Sequence, residues 1–171
     1  MSFVIDRFDP AVKYAGFNQF DCGLHPVNKF VKDSLKKQVK QGLSVAYAIL
    51  EEGQDGVLDR FVGFYTIANH SVPVSVFSAM QLGSLPRTIP CIRLIMLGIH
   101  VDDAGNGHGR HLMNHAFDVV KRSARDIGSY GLYLDADAGA VAFYQRLGFW
   151  LLEGDKRPDP SPMFIPLAAI R

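Results

Sequence analysis

Residues 105 to 110 read Gly105-Asn106-Gly107-His108-Gly109-Arg110, directly after an apolar run and at the opening of an amphipathic helix pattern. No other stretch restricts the fold of the chain so strongly. A glycine cluster at a strand-to-helix junction turns the chain tightly and lets backbone N–H groups close on a phosphate, while the helix N-terminus adds partial positive charge. Further along stands Ala142-Phe143-Tyr144-Gln145-Arg146-Leu147-Gly148-Phe149. It predicts a short helix stopped by Gly148, with a phenol near its C-terminal end. Together the two segments suggest a diphosphate-bearing cofactor lying over one helix and Tyr144 close to its reactive end. The glycine cluster alone also fits a plain tight turn. It is not a P-loop, because no Gly-Lys-Ser/Thr closes it. A dinucleotide fold would place a ribose-binding acid at Asp135. Against that, the spacing is Gly-x-Gly-x-Gly, a hairpin precedes it, and too little chain follows Asp135 to complete a doubly wound sheet.

The periodicities on either side fill in the architecture. Pro26 to Gln41 predicts a helix with Val27, Phe30, Val31, Leu35 and Val39 as its buried stripe and Lys29, Lys32, Lys36, Lys37 and Lys40 on the other faces. Ser44–Leu50 and Arg60–Ala68 predict two strands joined by a hairpin turn over Glu51–Leu58. Residues 1–20 read as irregular and aromatic-rich. Residues 70–90 carry Pro73, Gly83, Pro86 and Pro90 and read mostly as a long loop, with a short helix near Val76–Leu82. Then follow a strand over Ile92–Val101, a helix over Gly109–Ile127, a strand over Tyr130–Asp135, a helix over Gly139–Leu147, and strands over Phe149–Leu152 and Met163–Leu167. The order predicts one α/β (α+β) domain over residues 1–171, a twisted mixed sheet flanked by helices, without repeats.

With 48% hydrophobic and 20% charged residues, the chain has a real core to bury. Its net charge of +1 offers no global basic field, so any nucleic-acid surface must be local. The run Ile92–Val101 is interrupted by Arg93 and His100 and does not approach the length of a membrane span. The N-terminus turns acidic at Asp6, unlike a secretory signal, and Cys22 and Cys91 form no spaced metal pair. A cytoplasmic chain with reduced thiols is expected.

Strand, glycine loop, helix, strand and then Ala-x-x-Phe-Tyr-x-x-x-Gly-Phe resemble the GCN5-related N-acetyltransferase (GNAT) family, from roughly Ser44 to the C-terminus. The Ala142–Phe149 segment is the most specific part. The resemblance implies acetyl-CoA as cofactor, with central strands splayed for its pantetheine arm. By position, Ile99, His100 and Val101 would meet that arm, and Gly105, Asn106, Gly107, His108, Gly109 and Arg110 would cradle the pyrophosphate. Asp137, Ala142 and Phe143 would also line the cofactor. Two departures stand out: Ala104 occupies a place usually held by Arg or Gln, and Asp137 replaces a frequent Asn.

A narrower resemblance lies upstream. Phe20-Asp21-Cys22-Gly23 before the first helix, then Gly63-Phe64-Tyr65-Thr66-Ile67, is similar to the tRNA-acetylating toxins of toxin–antitoxin modules. This implies acetylation of the α-amine of an aminoacyl-tRNA, a block of translation, a ribbon-helix-helix antitoxin as partner, and a homodimer.

For the residue roles, Tyr144 is expected to be the general acid. A phenol, with a pKa of about 10, can protonate a departing thiolate while itself neutral at pH 7. No general base stands out in the sequence. An α-amine next to an ester has a lower pKa than a lysine amine, so this absence favours an aminoacyl ester as acceptor. His111 and His115 lie one helical turn apart, but Leu112 stands where a zinc protease has Glu, and no metal is expected. The lysines at 29, 32, 36, 37 and 40 read either as a solvated face or as a stripe for tRNA phosphates, extended by Arg87 and Arg93. Two alternatives stay open: a GNAT enzyme acting on a small amine or a protein N-terminus, and an acyl-CoA-binding regulatory domain without turnover.

Overall fold

The computed structural model describes residues 2–153 and 158–171. Its strands form one seven-stranded mixed sheet in the order β1-β2-β3-β4-β5-β7-β6, with helices α1–α4 between them. The chain divides into two compact units: Met1–Ala68 with Met96–Ala116, and Asn69–Ile95 with Phe117–Arg171.

The first unit holds β1 (Phe3–Arg7), α1 (His25–Asp33), α2 (Leu35–Lys40), β2 (Val45–Glu51) and the first part of β3 (Arg60–Pro73). It also holds the end of β4 (Thr88–Ile99) and the start of α3 (His108–Asp126). β1 pairs antiparallel with β2 from Phe3↔Glu51 to Arg7↔Tyr47, so the first residues are an edge strand rather than irregular chain. The helix expected over 26–41 is two helices, broken at Ser34, where φ −128° and ψ −31° leave helical geometry. The break lets Leu35, fully buried, reach the core while Lys29, Lys32, Lys36, Lys37 and Lys40 stay exposed. That core is aromatic: Phe20 packs on Phe61 and Phe64 at 5.3 and 5.8 Å between ring centroids, and Phe30 stacks on Phe64 at 6.3 Å. Gly63 is dictated by approach. A Cβ there would lie 2.5 Å from Ile99 Cδ1 and 2.7 Å from the Gly98 carbonyl oxygen.

The second unit holds the remainder of β3, β4 and α3, together with β5 (Gly131–Ala136), α4 (Val141–Arg146), β6 (Trp150–Leu151) and β7 (Ser161–Pro166). β4 and β5 pair in parallel over Ile92↔Leu132 to Leu94↔Leu134, and β5 pairs antiparallel with β7. The long loop expected over 70–90 is shorter than its prolines suggest. β3 continues to Pro73, a 3-10 turn covers Val74–Phe77, and β4 begins at Thr88. Phe77, Met80, Leu82 and Leu85 cap an apolar cluster with Val72, Ile89, Cys91, Leu152 and Phe164, which gives this proline-rich stretch a core of its own. No described helix is long and apolar enough to cross a membrane.

Candidate active site

In the first unit, β4 ends at Ile99 and a 3-10 turn covers Val101–Asp103. Gly105 and Gly107 both have φ +79°, the left-handed region that glycine enters without a steric penalty. α3 then runs for 19 residues from His108. Among the described residues, the backbone N–H groups from Gly105 to Arg110 donate to no other group, and the first N–H engaged is that of His111, to the Gly107 carbonyl at 3.0 Å. Six unengaged donors at the head of a long helix form a cradle for a phosphate-rich ligand. The Cβ positions of Gly105 and Gly107 face open space, with no chain atom within 4 Å.

Of the flanking residues expected at a cofactor, His100 gives its N–H to the Val62 carbonyl and Val101 gives its N–H to the Asp21 carbonyl, both at 2.8 Å. Neither donor is available to a ligand as the chain stands. The His108 ring is buried and packs on Phe3 at 4.6 Å, a structural position, while His111 and Arg110 are exposed. The His115 Nδ1 lies 2.7 Å from the Tyr65 hydroxyl.

The loop is braced from below. Arg60 donates to both carboxylate oxygens of Asp103, at 2.9 and 2.8 Å, and to Glu51 at 3.1 Å. The bidentate bond to Arg60 holds the buried Asp103 carboxyl below its ordinary range, and the same bond raises the guanidinium pKa. Asn106 Nδ2 donates to the Asp103 carbonyl at 3.2 Å, which ties the glycine loop to the brace.

The Phe20-Asp21-Cys22-Gly23 segment acts as a clasp. Asp21 Oδ1 accepts from the Gly23 N–H and from Asn28 Nδ2, each at 2.8 Å. The Asp21 N–H donates to His100 Nδ1 at 3.1 Å, and Asn28 Oδ1 accepts from the Cys22 N–H at 2.9 Å. The clasp thus joins α1 to the start of the cofactor loop. Burial raises the Cys22 thiol pKa, so Cys22 stays protonated. Beside α1 and α2 lies a cleft of about 690 Å³ whose lining includes Phe17, His25, Lys29, Lys32 and Lys36. The Lys36 ammonium sits 4.7 Å over the Phe17 ring.

In the second unit, the Tyr-x-x-x-Gly-Phe spacing has a direct cause. Gly148, with φ +104°, ends α4 and turns the chain so that the Phe149 N–H returns to the Tyr144 carbonyl at 3.1 Å. Phe149 and Phe143 then pack on the Tyr144 ring at 5.5 and 5.1 Å. Tyr144 is 7% exposed, and burial pushes its phenol pKa well up, so it is a neutral acid. Its hydroxyl has no hydrogen-bond partner among the described residues, so it does not cap a backbone carbonyl. Asp137 Oδ2 accepts from the Gly139 N–H at 3.3 Å, and Ala142 is exposed on α4. Arg87 is exposed and lies in the chain just before β4.

Sequence reasoning missed a polar cluster on β3, β4 and β5. Asp135 accepts from Arg93 Nη2 at 3.0 Å and from the Tyr133 hydroxyl at 3.1 Å. The His70 ring lies 5.1 Å from that of Tyr133. Burial, then the Asp135 charge, push the Tyr133 phenol up to about 12; burial, then Arg93, lower the His70 imidazole. Only the shared face of Tyr133 and Asp135, two apart on a strand, was available as a signal. Arg93 is therefore carboxylate-paired rather than a free surface cation. Burial pushes the Cys91 thiol up to about 11.

The acetyltransferase (GNAT) family model matches residues 32–149. A tRNA-acetylating toxin of Mycobacterium tuberculosis is 26% identical over 131 residues, covering 76% of this chain and 75% of that protein. A solved bacterial toxin superposes with TM-score 0.90 at 32% identity, covering 99% of this chain and 93% of its own. The toxin AtaT complexed with acetyl-methionyl-tRNAfMet is 25% identical with TM-score 0.85, covering 99% and 97%. A tyrosine-to-phenylalanine mutant of AtaT bound to the C-terminus of the antitoxin AtaR and acetyl-CoA has TM-score 0.80 at 25% identity, covering 98% and 95%.

Proposed function

This chain belongs to the acetyltransferase (GNAT) family, and from that premise we propose that it is the toxin of a toxin–antitoxin module, acetylating the α-amine of aminoacyl-tRNA at the expense of acetyl-CoA. The observation that carries the reading is the row of unengaged N–H groups from Gly105 to Arg110 at the head of α3. These residues fit a pyrophosphate: the two glycines supply the turn, and the helix end supplies the positive field. Ile99, His100 and Val101 would line the adjoining arm of the cofactor, His100 and Val101 through groups other than their engaged N–H. Asp137, Ala142 and Phe143 are proposed to complete the cofactor's surroundings.

Bound acetyl-CoA supplies the acetyl group as a thioester, whose C–S bond breaks as the amine's C–N bond forms. Tyr144 holds a proton at its Oη for the departing sulfur. Its burial keeps it neutral, and its lack of an internal partner leaves that proton uncommitted. The proton that the attacking amine sheds restores the phenol, so no charge accumulates on the protein over a turnover. Lys29, Lys32, Lys36, Lys37 and Lys40 are proposed to meet tRNA phosphates, together with Arg87, while Arg93 contacts the substrate from its place beside Asp135.

Residues 1–171 are proposed to work as one N-acetyltransferase domain. In support, β3, β4 and α3 each run through both compact units, and the family match spans parts of both. The toxin is proposed to act in the cytoplasm, where charged tRNA resides, as a homodimer neutralised by a ribbon-helix-helix antitoxin. AtaT, the relative bound to its antitoxin's C-terminus, supports the antitoxin.

The test is transfer of labelled acetyl from acetyl-CoA to total aminoacyl-tRNA, beside deacylated tRNA and polyamines. Label on charged tRNA alone, lost with Tyr144→Phe, is the expected result. Label on polyamines instead, or none on tRNA by a protein that binds acetyl-CoA, overturns it.

A further inference from the structure

Two adjoining clefts run along α1 and α2, about 690 and 410 Å³ in volume, and share Lys32, Asp33 and Lys36. Lysines line both, and among the described residues Asp33 is the one carboxylate in either lining. The larger cleft differs in having an aromatic floor, made by the half-buried Phe17 and the buried Phe20. Phe8 stacks on the Phe17 ring at 5.7 Å and Phe61 meets it edge-on at 5.0 Å, so the ring is held rigidly from behind. Its cover on the cleft side is the Lys36 ammonium, 4.7 Å from the centroid, on an exposed and flexible side chain. Asn18, exposed at the rim, carries an amide that can both donate and accept. The larger cleft also adjoins the start of the cofactor loop, within the same compact unit. Phe20 on its floor lies 6.0 Å from the His100 ring. Asn28 in its wall donates to Asp21, whose carbonyl takes the Val101 N–H.

We propose that the larger cleft is a subsite for one unpaired nucleotide of the tRNA's single-stranded end, its base stacked on Phe17 and its phosphate held by Lys36. A cation over an exposed ring is a weak contact, and a base stacked on a ring is a stronger one. The base therefore takes the ring face, and the displaced ammonium turns to the phosphate beside it. The smaller cleft, basic and without an aromatic residue, receives the backbone that leads away along α2. A paired stem keeps its bases stacked on one another and could meet these lysines through phosphates alone, which leaves the aromatic floor unused. An acidic peptide would answer the charges but offers no flat face to Phe17. The unpaired end is also the part of a charged tRNA that bears the aminoacyl group, and the cleft lies beside the loop proposed for acetyl-CoA. The proposal rests on the aminoacyl-tRNA reading above and adds which part of that RNA the lysine-bearing helices grip.

The experiment measures binding of the full chain to two RNA hairpins of identical stem, one blunt and one with a short unpaired end, beside an acidic peptide of matched charge. Wild type is expected to bind the hairpin with the unpaired end about tenfold or more tightly than the others. Phe17→Leu should weaken that hairpin about fivefold to hundredfold and leave the blunt one and acetyl-CoA within about twofold. Equal loss for both hairpins, or no loss for either, in a variant that still binds acetyl-CoA overturns the proposal, as does a wild type that binds the blunt hairpin or the peptide equally well. Should Phe17→Leu fail to fold, the wild type decides. A fluorescent adenine analogue at the unpaired end should be quenched on binding and one within the stem should not; no quenching at the unpaired end refutes the stack. A chain that shows the preference and the quenching yet transfers no acetyl to charged tRNA bears out the subsite and overturns the acetylation reading instead.

Discussion

Replacing Asp103 by Asn removes the negative charge from the brace under the cofactor loop while keeping its shape. Asp103 accepts two hydrogen bonds from Arg60, at 2.9 and 2.8 Å, and is 8% exposed. A hydrogen bond to a charged group contributes about 1.5–3 kcal/mol, and Asn can still accept one of the two. The Arg60 side chain is 33% exposed and retains Glu51, so solvent and the second carboxylate recover part of the loss. The expected destabilisation is therefore about 1–2 kcal/mol, or roughly 3–6 °C in Tm for a chain of this size. A double-mutant cycle with Arg60→Met, read by urea unfolding, should give a coupling of about 1 kcal/mol or more. The pH dependence has a definite sign. The folded Asp103 carboxyl lies below its unfolded value, so its contribution is present above pH ~4 and fades as pH falls through the folded-state value. The deficit of the Asn variant should thus be full at pH 7 and narrow in acid. Because Asn106 is tied to the Asp103 carbonyl, KM for acetyl-CoA should rise several-fold with kcat little changed. A coupling below about 0.3 kcal/mol, or a deficit that persists unchanged at pH 3, would refute the brace.

Tyr144→Phe removes a buried hydroxyl that has no partner among the described residues, so stability should be unchanged or raised by up to ~1 kcal/mol while acetyl transfer falls ~10²–10⁴-fold; a marked loss of stability would show that the hydroxyl is structural. Gly63→Ala places a methyl 2.7 Å from a backbone carbonyl and should destabilise by ~2 kcal/mol or more, and a wild-type urea midpoint would contradict the close approach. Replacing Lys32 or Lys36 by Gln should lower the slope of log KM for tRNA against log salt by about one for each phosphate left without its cation; an unchanged slope would make these lysines a solvated face.

What the sequence made legible was local. The loop Gly105–Gly109, the α3 stripe of Leu112, Met113, Ala116 and Val120, and the Tyr144-to-Phe149 turn each follow from neighbours in the chain, and each lies where its pattern puts it. What stayed hidden was held by distant partners. Phe3–Arg7 shows no clean alternation and is a strand because β2 pairs with it. The break at Ser34 lies inside a periodic pattern and is set by the depth to which Leu35 is drawn. Arg60 and Asp103, or His70, Arg93 and Asp135, share no spacing: the order of β3, β4 and β5, with the 3-10 turn that follows β4, brings them together.

The Asp21 clasp has a thermodynamic consequence. Through Asn28 it grips the helix that carries Lys29 and Lys32, and through His100 and Val101 it grips the start of the glycine loop. A ligand that draws α1 toward one position of the clasp biases the loop, and a ligand seated in the loop biases α1 by the same free energy. To whatever extent the clasp moves, charged tRNA and acetyl-CoA must alter each other's affinity by one common factor, whichever binds first.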